Sequence, residues 1–230
     1  MIPLKPMAKL YIIATPIGNL EDITFRAVRI LKEVDLVLAE NVIKARNLLN
    51  RYQIDTKIIK YEQHSLNRVL DRLISILKEG KNMALISEAG TPGISDPGNE
   101  LIEALNRKLD NISVIPIPGA SSVSAAASIA GIPMQKFLFL GFVPKKGQKF
   151  FKELVEYDFP VIFFETPYRI VKTLEKINGL APDAHLVVMR ELTKQFETVY
   201  RGKAKEIIEQ LMNTSTKGEF VVIFKKEHEG

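Results

Sequence analysis

Three glutamates, Glu40, Glu88 and Glu165, each end a short apolar run that predicts a β-strand. A carboxylate at such a position can accept a hydrogen bond from a ligand hydroxyl or favour a cation. Glu88 is the second residue of a long polar segment, residues 87–98, which contains three glycines and two prolines. Asp96 and Pro97 fit the N-cap and first position of a helix. Capping does not explain residues 87–93, whose glycines would let the backbone approach a ligand closely.

Three further polar segments also follow predicted strands. The segment T-P-I-G-N-L begins at Thr15, and its lone Gly18 and its Pro16 do not match a Rossmann or Walker phosphate loop. The second, residues 118–122, opens a Ser/Ala-rich helix whose hydroxyls and free N–H groups could face a cleft. The third, residues 163–169, places Thr166 as an N-cap and Pro167 at the first helical position. Capping leaves Glu165 and Arg169 unexplained.

The elements that carry these segments alternate between strand and helix in the first half of the chain. This alternation predicts a mostly parallel sheet with helices on both faces, and a ligand outside the carboxyl ends of its strands. Strands outnumber helices in the second half, which predicts a mixed α+β domain. The expected fold is therefore α/β with two domains, residues 1–117 and 118–230.

Composition excludes several classes of protein. The 230 residues include no Cys and three His, which excludes disulfide scaffolds and thiolate metal sites and disfavours a histidine-built metal site. No apolar run approaches the roughly 20 residues that span a bilayer, and the first residues lack a signal-peptide pattern. We expect a soluble cytoplasmic protein without a metal or a membrane partner.

Positive charge is concentrated in residues 41–60. The net charge of the chain is +5, and this stretch contains five basic residues against the single acid Asp55: Lys44, Arg46, Arg51, Lys57 and Lys60. Such a cluster suits a polyanion, because binding phosphates releases counterions. A solvated helix face would look the same in sequence, so both interpretations stay open.

Six motifs together resemble one known family. They are LYIIATPIGNLEDIT, ISEAGTPGISDPG, VIPIPGASS, FLGFVPKKG, FFETPYR and RELTKQFE. In this order they resemble the ribosomal RNA small-subunit methyltransferase I family of the tetrapyrrole methylase superfamily. The resemblance implies an enzyme that uses S-adenosylmethionine to methylate a cytidine ribose 2'-hydroxyl of small-subunit ribosomal RNA. It also implies a homodimer and a cofactor in the cleft between two α/β domains.

Carried over residue by residue, the resemblance implies a set of cofactor-binding positions. They are Thr15, Pro16, Ser87, Glu88, Ala89, Gly90, Thr91, Ser121, Ser122, Phe164 and Glu165. A ribose hydroxyl is a poor nucleophile, and a positioned carboxylate can accept its proton. Glu40 and Glu88 are therefore the predicted catalytic residues. Lys44, Arg46 and Arg169 are the predicted phosphate contacts, and His64 is a further candidate base.

The chain also departs from the family pattern. Where the family has A-E-D-T-R, this chain has Asn41 and Ile43 in place of the acid and the arginine, and Glu88 replaces an aspartate. The family commonly has a basic C-terminal extension, which we do not expect here, and we expect residues 41–60 with Lys145, Lys146 and Lys149 to hold the RNA. Two alternatives stay open: a methylase of corrinoid or porphyrinoid precursors, and a cofactor-binding relative that has lost methyl transfer.

Overall fold

The computed structural model describes residues 8–62, 66–109 and 112–227. The chain forms two compact units that divide after Ser121. Each unit has its own five-stranded sheet and its own apolar core. No helix in the described ranges is long and apolar enough to cross a membrane.

The first unit contains a sheet with the strand order β3-β2-β4-β1-β5, and all of its neighbouring strands pair in parallel. The strands are β1 (Lys9–Ile13), β2 (Leu36–Ala39), β3 (Ile58–Lys60), β4 (Met83–Ile86) and β5 (Ser113–Ile117). Pro116 is tolerated in β5 because β5 is an edge strand, where a missing N–H donor breaks no central ladder. The predicted parallel sheet is confirmed.

Four helices cover the two faces of this sheet: α1 (Phe25–Glu33), α2 (Val42–Arg51), α3 (Leu66–Lys78) and α4 (Asn99–Lys108). Leu31 of α1 and Leu49 of α2 share one buried cluster with Ile13 of β1. Leu73 of α3 and Leu101 of α4 share the other cluster with strand residues from the opposite face. Helices on both faces are what parallel strands with helical crossovers require, and this prediction is also confirmed.

The connections change direction between β1 and β4. From β1 the chain crosses β4 to form β2, whereas from β4 it crosses β1 to form β5. The connections that follow β1 and β4 therefore run toward opposite edges of the sheet. In open α/β sheets, ligands bind at the carboxyl ends of the strands at such a switch point.

The second unit contains a mixed sheet with the order β6-β7-β10-β8-β9. Its strands are β6 (Leu138–Phe142), β7 (Val161–Glu165), β8 (His185–Arg190), β9 (Thr198–Gly202) and β10 (Phe220–Lys225). β6 and β7 pair in parallel, and the other neighbours are antiparallel. The mixed α+β character predicted for this half is confirmed.

Helices α5 (Ser122–Ser128), α6 (Gln148–Leu154), α7 (Ile170–Leu180) and α8 (Ala204–Asn213) complete the second unit. Its core joins Leu174 of α7 and Ile207 of α8 to strand residues such as Phe163 and Val222. The helices predicted to follow residues 118–122 and to begin at Pro167 are present as α5 and α7 with shifted ends, whereas α6 was not predicted.

Two predicted helix starts were wrong. The helix expected to begin at Asp96 and Pro97 begins at Asn99, after Gly98. The helix expected to begin at Pro167 begins at Ile170. In both places the residue expected as the N-cap has another partner: Asp96 hydrogen-bonds the Ser87 side chain, and the Thr166 hydroxyl accepts from Arg169 Nε–H.

Candidate functional site

The loops after β1 and β4 are tied together at the switch point of the first sheet. Thr15 N–H donates to the Gly90 carbonyl at 2.9 Å, and Gly90 N–H donates to the Thr15 carbonyl at 3.0 Å. Thr15 is buried, and its hydroxyl also donates to the Ser87 carbonyl at 3.3 Å. The Ser87 hydroxyl in turn contacts the carbonyls of Ala89 and Gly90 at 3.2 and 3.1 Å. These contacts fix the path of the residue 87–91 loop.

Gly90 is needed for this close approach. Its φ is +77°, and a Cβ at this position would lie 3.3 Å from Cγ2 of Ile17. Ile17 is itself buried and follows the buried Pro16, so its side chain has little space to move away from an added Cβ. Thr91 extends the loop toward the segment after β5, because its hydroxyl donates to the Ala120 carbonyl at 3.4 Å. The segments after β1, β4 and β5 thus meet at one edge of the sheet.

Two residues of the segment after β2 bind the Glu88 carboxylate. Lys44 Nζ lies 2.5 Å from Glu88 Oε2, and both side chains are partly exposed. Asn41 caps α2 by accepting from Ile43 N–H and Lys44 N–H, each at 3.1 Å, and its side chain also hydrogen-bonds Glu88. The Lys44 hydrogen bond lowers the pKa of Glu88, with Asn41 acting in the same direction. Glu88 is therefore an ionised acceptor.

The departures from A-E-D-T-R have a structural account here. Asn41 keeps the N-cap role of an acid without its charge. The cation missing at position 43 is supplied one residue later by Lys44, and the longer Glu88 side chain pairs with it. Ile43 is instead three-quarters exposed.

Asp96 is the functional candidate that sequence reasoning missed. Burial raises the pKa of Asp96 to about 6; the charges of Glu40 and Glu88 also raise it, and a hydrogen bond with the Ser87 side chain opposes the shift. The preceding residue, Ser95, adopts a left-handed conformation with φ +59°. A non-glycine residue in this conformation is strained, and such strain concentrates at functional sites. The signal in the sequence was a polar loop too long for a simple connection.

The remaining predicted residues of the first unit differ in their surroundings. Glu40 is exposed directly after β2, and Arg46 is half-buried on α2. Lys60 pairs with Glu62 at 2.6 Å, so two of the five basic residues of 41–60 are engaged by acids. Ser121 lies at the end of the first unit. His64 lies outside the described residues.

In the second unit, Glu165 is a fully buried carboxylate with three donors. It accepts from Thr166 N–H at 2.6 Å and from the Thr173 hydroxyl at 2.7 Å, and it pairs with Arg169 Nη2 at 2.8 Å. The Arg169 side chain is 32% exposed, and its Nε–H also donates to the Thr166 hydroxyl at 3.3 Å. Both carboxylate oxygens are thus occupied from within the unit. Glu165 orients Arg169 and the turn after β7.

Phe164 belongs to a small aromatic group beside Glu165. Its ring makes edge contacts with Phe139 and Phe142 of β6, with centroids 4.9 and 5.2 Å apart. The pairing of β6 and β7 shifts register between these two residues, and Phe142 is half exposed. Aromatic edges and faces at this strand end suit a flat heterocyclic ring. Ser122, the first residue of α5, also belongs to this unit.

The structure therefore brings the predicted residues together in two groups. The group at the carboxyl edge of the first sheet contains Thr15, Pro16, Glu40, Lys44, Ser87, Glu88, Ala89, Gly90, Thr91 and Ser121, with Asp96 added. The group in the second unit contains Phe164, Glu165 and Arg169. Among residues 8–62, 66–109 and 112–227, no three His, Asp or Glu side chains form a cluster that could hold a metal ion.

The first group is rich in acceptors. Glu40, Glu88 and Asp96 supply carboxylate oxygens after the neighbouring strands β2 and β4. Such oxygens can accept hydrogen bonds from hydroxyl or ammonium groups and attract positive charge. This set of groups suits a cation or a hydroxyl-bearing ligand better than a phosphate.

Comparison with known proteins gives a consistent pattern. Residues 9–208 match the family model described as Tetrapyrrole (Corrin/Porphyrin) Methylases. The chain is 41% identical over 217 residues to Ribosomal RNA small subunit methyltransferase I of Halalkalibacterium halodurans, covering 93% of this chain and 74% of that protein. It is 39% identical over 219 residues to the protein of the same name from Thermotoga maritima, covering 94% and 98%.

Solved structures share the fold at lower identity. Cobalt precorrin-4 methyltransferase superimposes with a TM-score of 0.73 at 21% identity, covering 98% of each chain. Diphthine synthase superimposes with a TM-score of 0.74 at 16% identity, covering 95% of this chain and 90% of that one. These similarities establish the architecture.

Proposed function

Because the chain belongs to the tetrapyrrole methylase family, within the group of ribosomal RNA small subunit methyltransferase I, we propose that it methylates small-subunit ribosomal RNA using S-adenosylmethionine. We place the transfer on a cytidine ribose 2'-hydroxyl. The observation that carries the proposal is the carboxyl edge of the first sheet, which is rich in hydrogen-bond acceptors. There, hydrogen bonds between Thr15 and Gly90 join two loops. At the same edge the pKa of Glu88 is lowered and the pKa of Asp96 is raised.

The relatives support RNA as the substrate over a porphyrinoid. The two relatives named above carry a ribosomal RNA name and share about 40% identity with almost all of this chain. The structural neighbour that acts on a cobalt precorrin shares 21% identity and supports the fold alone. A corrinoid-type substrate therefore has less support, although the family model includes such enzymes.

The proposed cofactor positions are the loops already described. Residues 87–91 present carbonyl and hydroxyl oxygens, and the carboxylates of Glu40, Glu88 and Asp96 suit the hydroxyls and positive charge of S-adenosylmethionine. Phe164 offers an aromatic edge for the adenine ring. When bound, S-adenosylmethionine supplies a methyl group activated by an adjacent sulfonium. Ser121 and Ser122 are further proposed cofactor positions.

The carboxyl groups of Glu88 and Asp96 have different proposed roles in methyl transfer. Methyl transfer to a hydroxyl needs the acceptor oxygen in line and its proton removed. Glu88 is held ionised by Lys44, so it is suited to accept a hydrogen bond and orient the substrate. Asp96, with a pKa of about 6, is better matched than Glu88 to take the proton near neutral pH. Burial is the main cause of the raised pKa of Asp96, and the charge of Glu40 raises it further.

The basic residues bind the RNA in this proposal. Lys44 is engaged by Glu88, so we assign it to positioning that carboxylate instead of contacting phosphate. Arg169, oriented by Glu165, and Arg46 remain the proposed phosphate contacts. The exposed Lys145, Lys146 and Lys149 add positive charge in the second unit. The proposed partners are small-subunit ribosomal RNA or the small ribosomal subunit, and a second copy of this chain.

One experiment tests the proposal directly. The purified chain, tritium-labelled S-adenosylmethionine and unmethylated small ribosomal subunits should yield labelled RNA, and mass spectrometry of nuclease digests should find the label on a cytidine ribose. Porphyrinoid extracts provide the parallel substrate. Labelling of the extract with none in the RNA would replace the proposal by the corrinoid alternative, and cofactor binding with neither product would support a relative that has lost transfer.

A further inference from the structure

The turn after β7 exposes an aromatic ring next to a fixed guanidinium. Tyr168 is 92% exposed, although tyrosine normally buries much of its ring in a folded protein. The neighbouring Arg169 is anchored on the buried carboxylate of Glu165. One exposed aromatic residue alone would need no explanation, but its combination with an oriented cation does.

Backbone contacts hold both residues in place. Arg169 N–H and Ile170 N–H each donate to the Thr166 carbonyl at 3.1 Å, which closes a tight turn before α7. Thr166 N–H donates to Glu165, so the start of the turn is tied to the same carboxylate. Pro167 restricts φ within the turn. The hydrogen bonds therefore hold the backbone of the turn while the Tyr168 side chain faces solvent.

The guanidinium retains donors for a ligand. Of its five N–H groups, one on Nη2 serves Glu165 and Nε–H serves the Thr166 hydroxyl. The 32% of the side chain that is exposed can offer remaining N–H groups to an anion. Glu165 already neutralises one unit of charge, so the function of Arg169 is directional, as in bidentate phosphate recognition.

We propose that Tyr168 and Arg169 form a contact for one unpaired nucleotide of the substrate RNA, with the Tyr168 ring stacked on the base and Arg169 bound to an adjacent phosphate. This inference rests on the proposed RNA substrate and adds a recognition residue to it. Single-stranded bases are recognised by stacking on aromatic side chains, whereas a duplex keeps its bases covered. A phosphate contact alone would not use the exposed ring.

The test compares variants of the full chain for binding and transfer. Affinity for fluorescently labelled small-subunit ribosomal RNA is measured by anisotropy, and affinity for S-adenosylmethionine by calorimetry. Tyr168→Ala should weaken RNA binding about 5- to 150-fold, the range for loss of one base stack. Tyr168→Phe should stay within about twofold, because the ring face is kept. Cofactor affinity should not change in either variant.

Matched controls separate stacking from general surface effects. Leu180→Ala removes an exposed apolar side chain at the other end of α7, about 15 Å away by helical rise, and should leave RNA affinity unchanged. Arg169→Lys keeps the charge but loses the planar guanidinium. It should therefore weaken RNA binding more than Lys172→Gln, which removes a charge from the first turn of α7. If Arg169→Lys unfolds the protein, the Tyr168 pair alone decides the outcome.

The outcomes also distinguish this inference from the proposed function. Normal transfer by the wild type with unchanged RNA affinity in Tyr168→Ala overturns the inference and keeps the function. RNA binding that depends on the Tyr168 ring, without transfer, keeps the inference and overturns the function. Absence of both RNA binding and transfer overturns both. A shift from dimer to monomer in Tyr168→Ala, with RNA affinity unchanged, would assign the ring to a protein contact instead.

Discussion

Asp96, Glu40 and Glu88 follow two neighbouring strands, and their surroundings differ. Lys44 and Asn41 stabilise the charged form of Glu88, whereas burial and two nearby negative charges disfavour the charged form of Asp96. Environments that push the pKa values of adjacent carboxyl groups apart are how enzymes divide acceptor and base roles. Lys44 and Asn41 thus matter to the site through Glu88.

Replacing Asp96 with Asn should abolish the dependence of kcat/KM on pH in the acidic range. In the wild type, kcat/KM should rise as the pH passes about 6, where Asp96 loses its proton and becomes a base. Asp96→Asn should lower kcat/KM at pH 7.5 by about 100-fold or more. Steady-state methyl transfer between pH 5 and 8.5 provides the measurement.

The same substitution should stabilise the fold at neutral pH. The pKa of Asp96 is raised from 3.8 to about 6 on folding, so between these values the folded state binds more protons than the unfolded state. Its contribution to stability therefore falls as the pH rises through this window, and the penalty is fully present above it. Asp96→Asn should raise the Tm at pH 7.5 and leave it unchanged near pH 3, while the exposed control Asp71→Asn should change it at neither pH. A lower Tm at pH 7.5 would contradict the buried carboxylate.

At the scale of elements, the site depends on how loops and helix ends are fixed. The two backbone hydrogen bonds between Thr15 and Gly90, which we call the clasp, join the loops after β1 and β4. The Asn41 cap sets the first turn of α2 and thereby the position of Lys44. Glu165 does the same for the turn before α7. In each case a short polar contact places a functional side chain.

Gly90→Ala should disrupt the clasp, and Gly80→Ala is its matched control. Both glycines have positive φ, +77° and +87°, so both substitutions carry a similar backbone cost of about 1 kcal/mol. Only at Gly90 would the new Cβ meet a neighbour, Ile17 Cγ2 at 3.3 Å, whereas Gly80 has open space. Gly90→Ala should weaken S-adenosylmethionine binding at least tenfold in calorimetry. Equal cofactor affinities in the two variants would separate the clasp from the cofactor site.

Removing the α2 cap should affect stability and Glu88 together. Asn41→Ala leaves two N–H groups without the cap and should cost about 1 kcal/mol in urea unfolding. Thr24→Ala removes the equivalent cap of α1, which accepts from Ala27 N–H, and should cost a similar amount. Only Asn41→Ala should raise the pKa of Glu88, followed by carboxyl carbon NMR, because Asn41 also bonds that carboxylate. An unchanged Glu88 titration would rule out this coupling.

At the scale of the whole molecule, positive charge should govern RNA binding but not cofactor binding. The net charge is +5, and Arg46, Arg51 and Lys57 make no ion pair among the contacts of the described residues, whereas Lys44 and Lys60 do. Three of the five basic residues in 41–60, and not all five, are therefore available to bind a polyanion. Arg169 adds an oriented cation in the second unit.

RNA affinity should therefore show a moderate salt dependence. The two proposed phosphate contacts, Arg46 and Arg169, predict a slope of about −1.4 in a plot of log affinity for single-stranded RNA against log salt concentration. Raising the salt concentration from 50 to 200 mM should weaken RNA binding about sevenfold. S-adenosylmethionine affinity, measured in the same buffers, should change less than twofold. A flat RNA response would contradict phosphate recognition by these basic residues.

The sequence by itself determined the alternation of strands and helices, the mixed second half, the polar loops at strand ends and the family, because periodicity and motifs are local properties. It did not determine that Lys44 neutralises Glu88, that Glu165 is buried under Arg169, or that Asp96 leaves its capping pattern to sit near Glu40. Those relations join residues up to 56 positions apart, such as Glu40 and Asp96. Only the tertiary structure fixes the burial and the distances between charges on which a pKa or an ion pair depends.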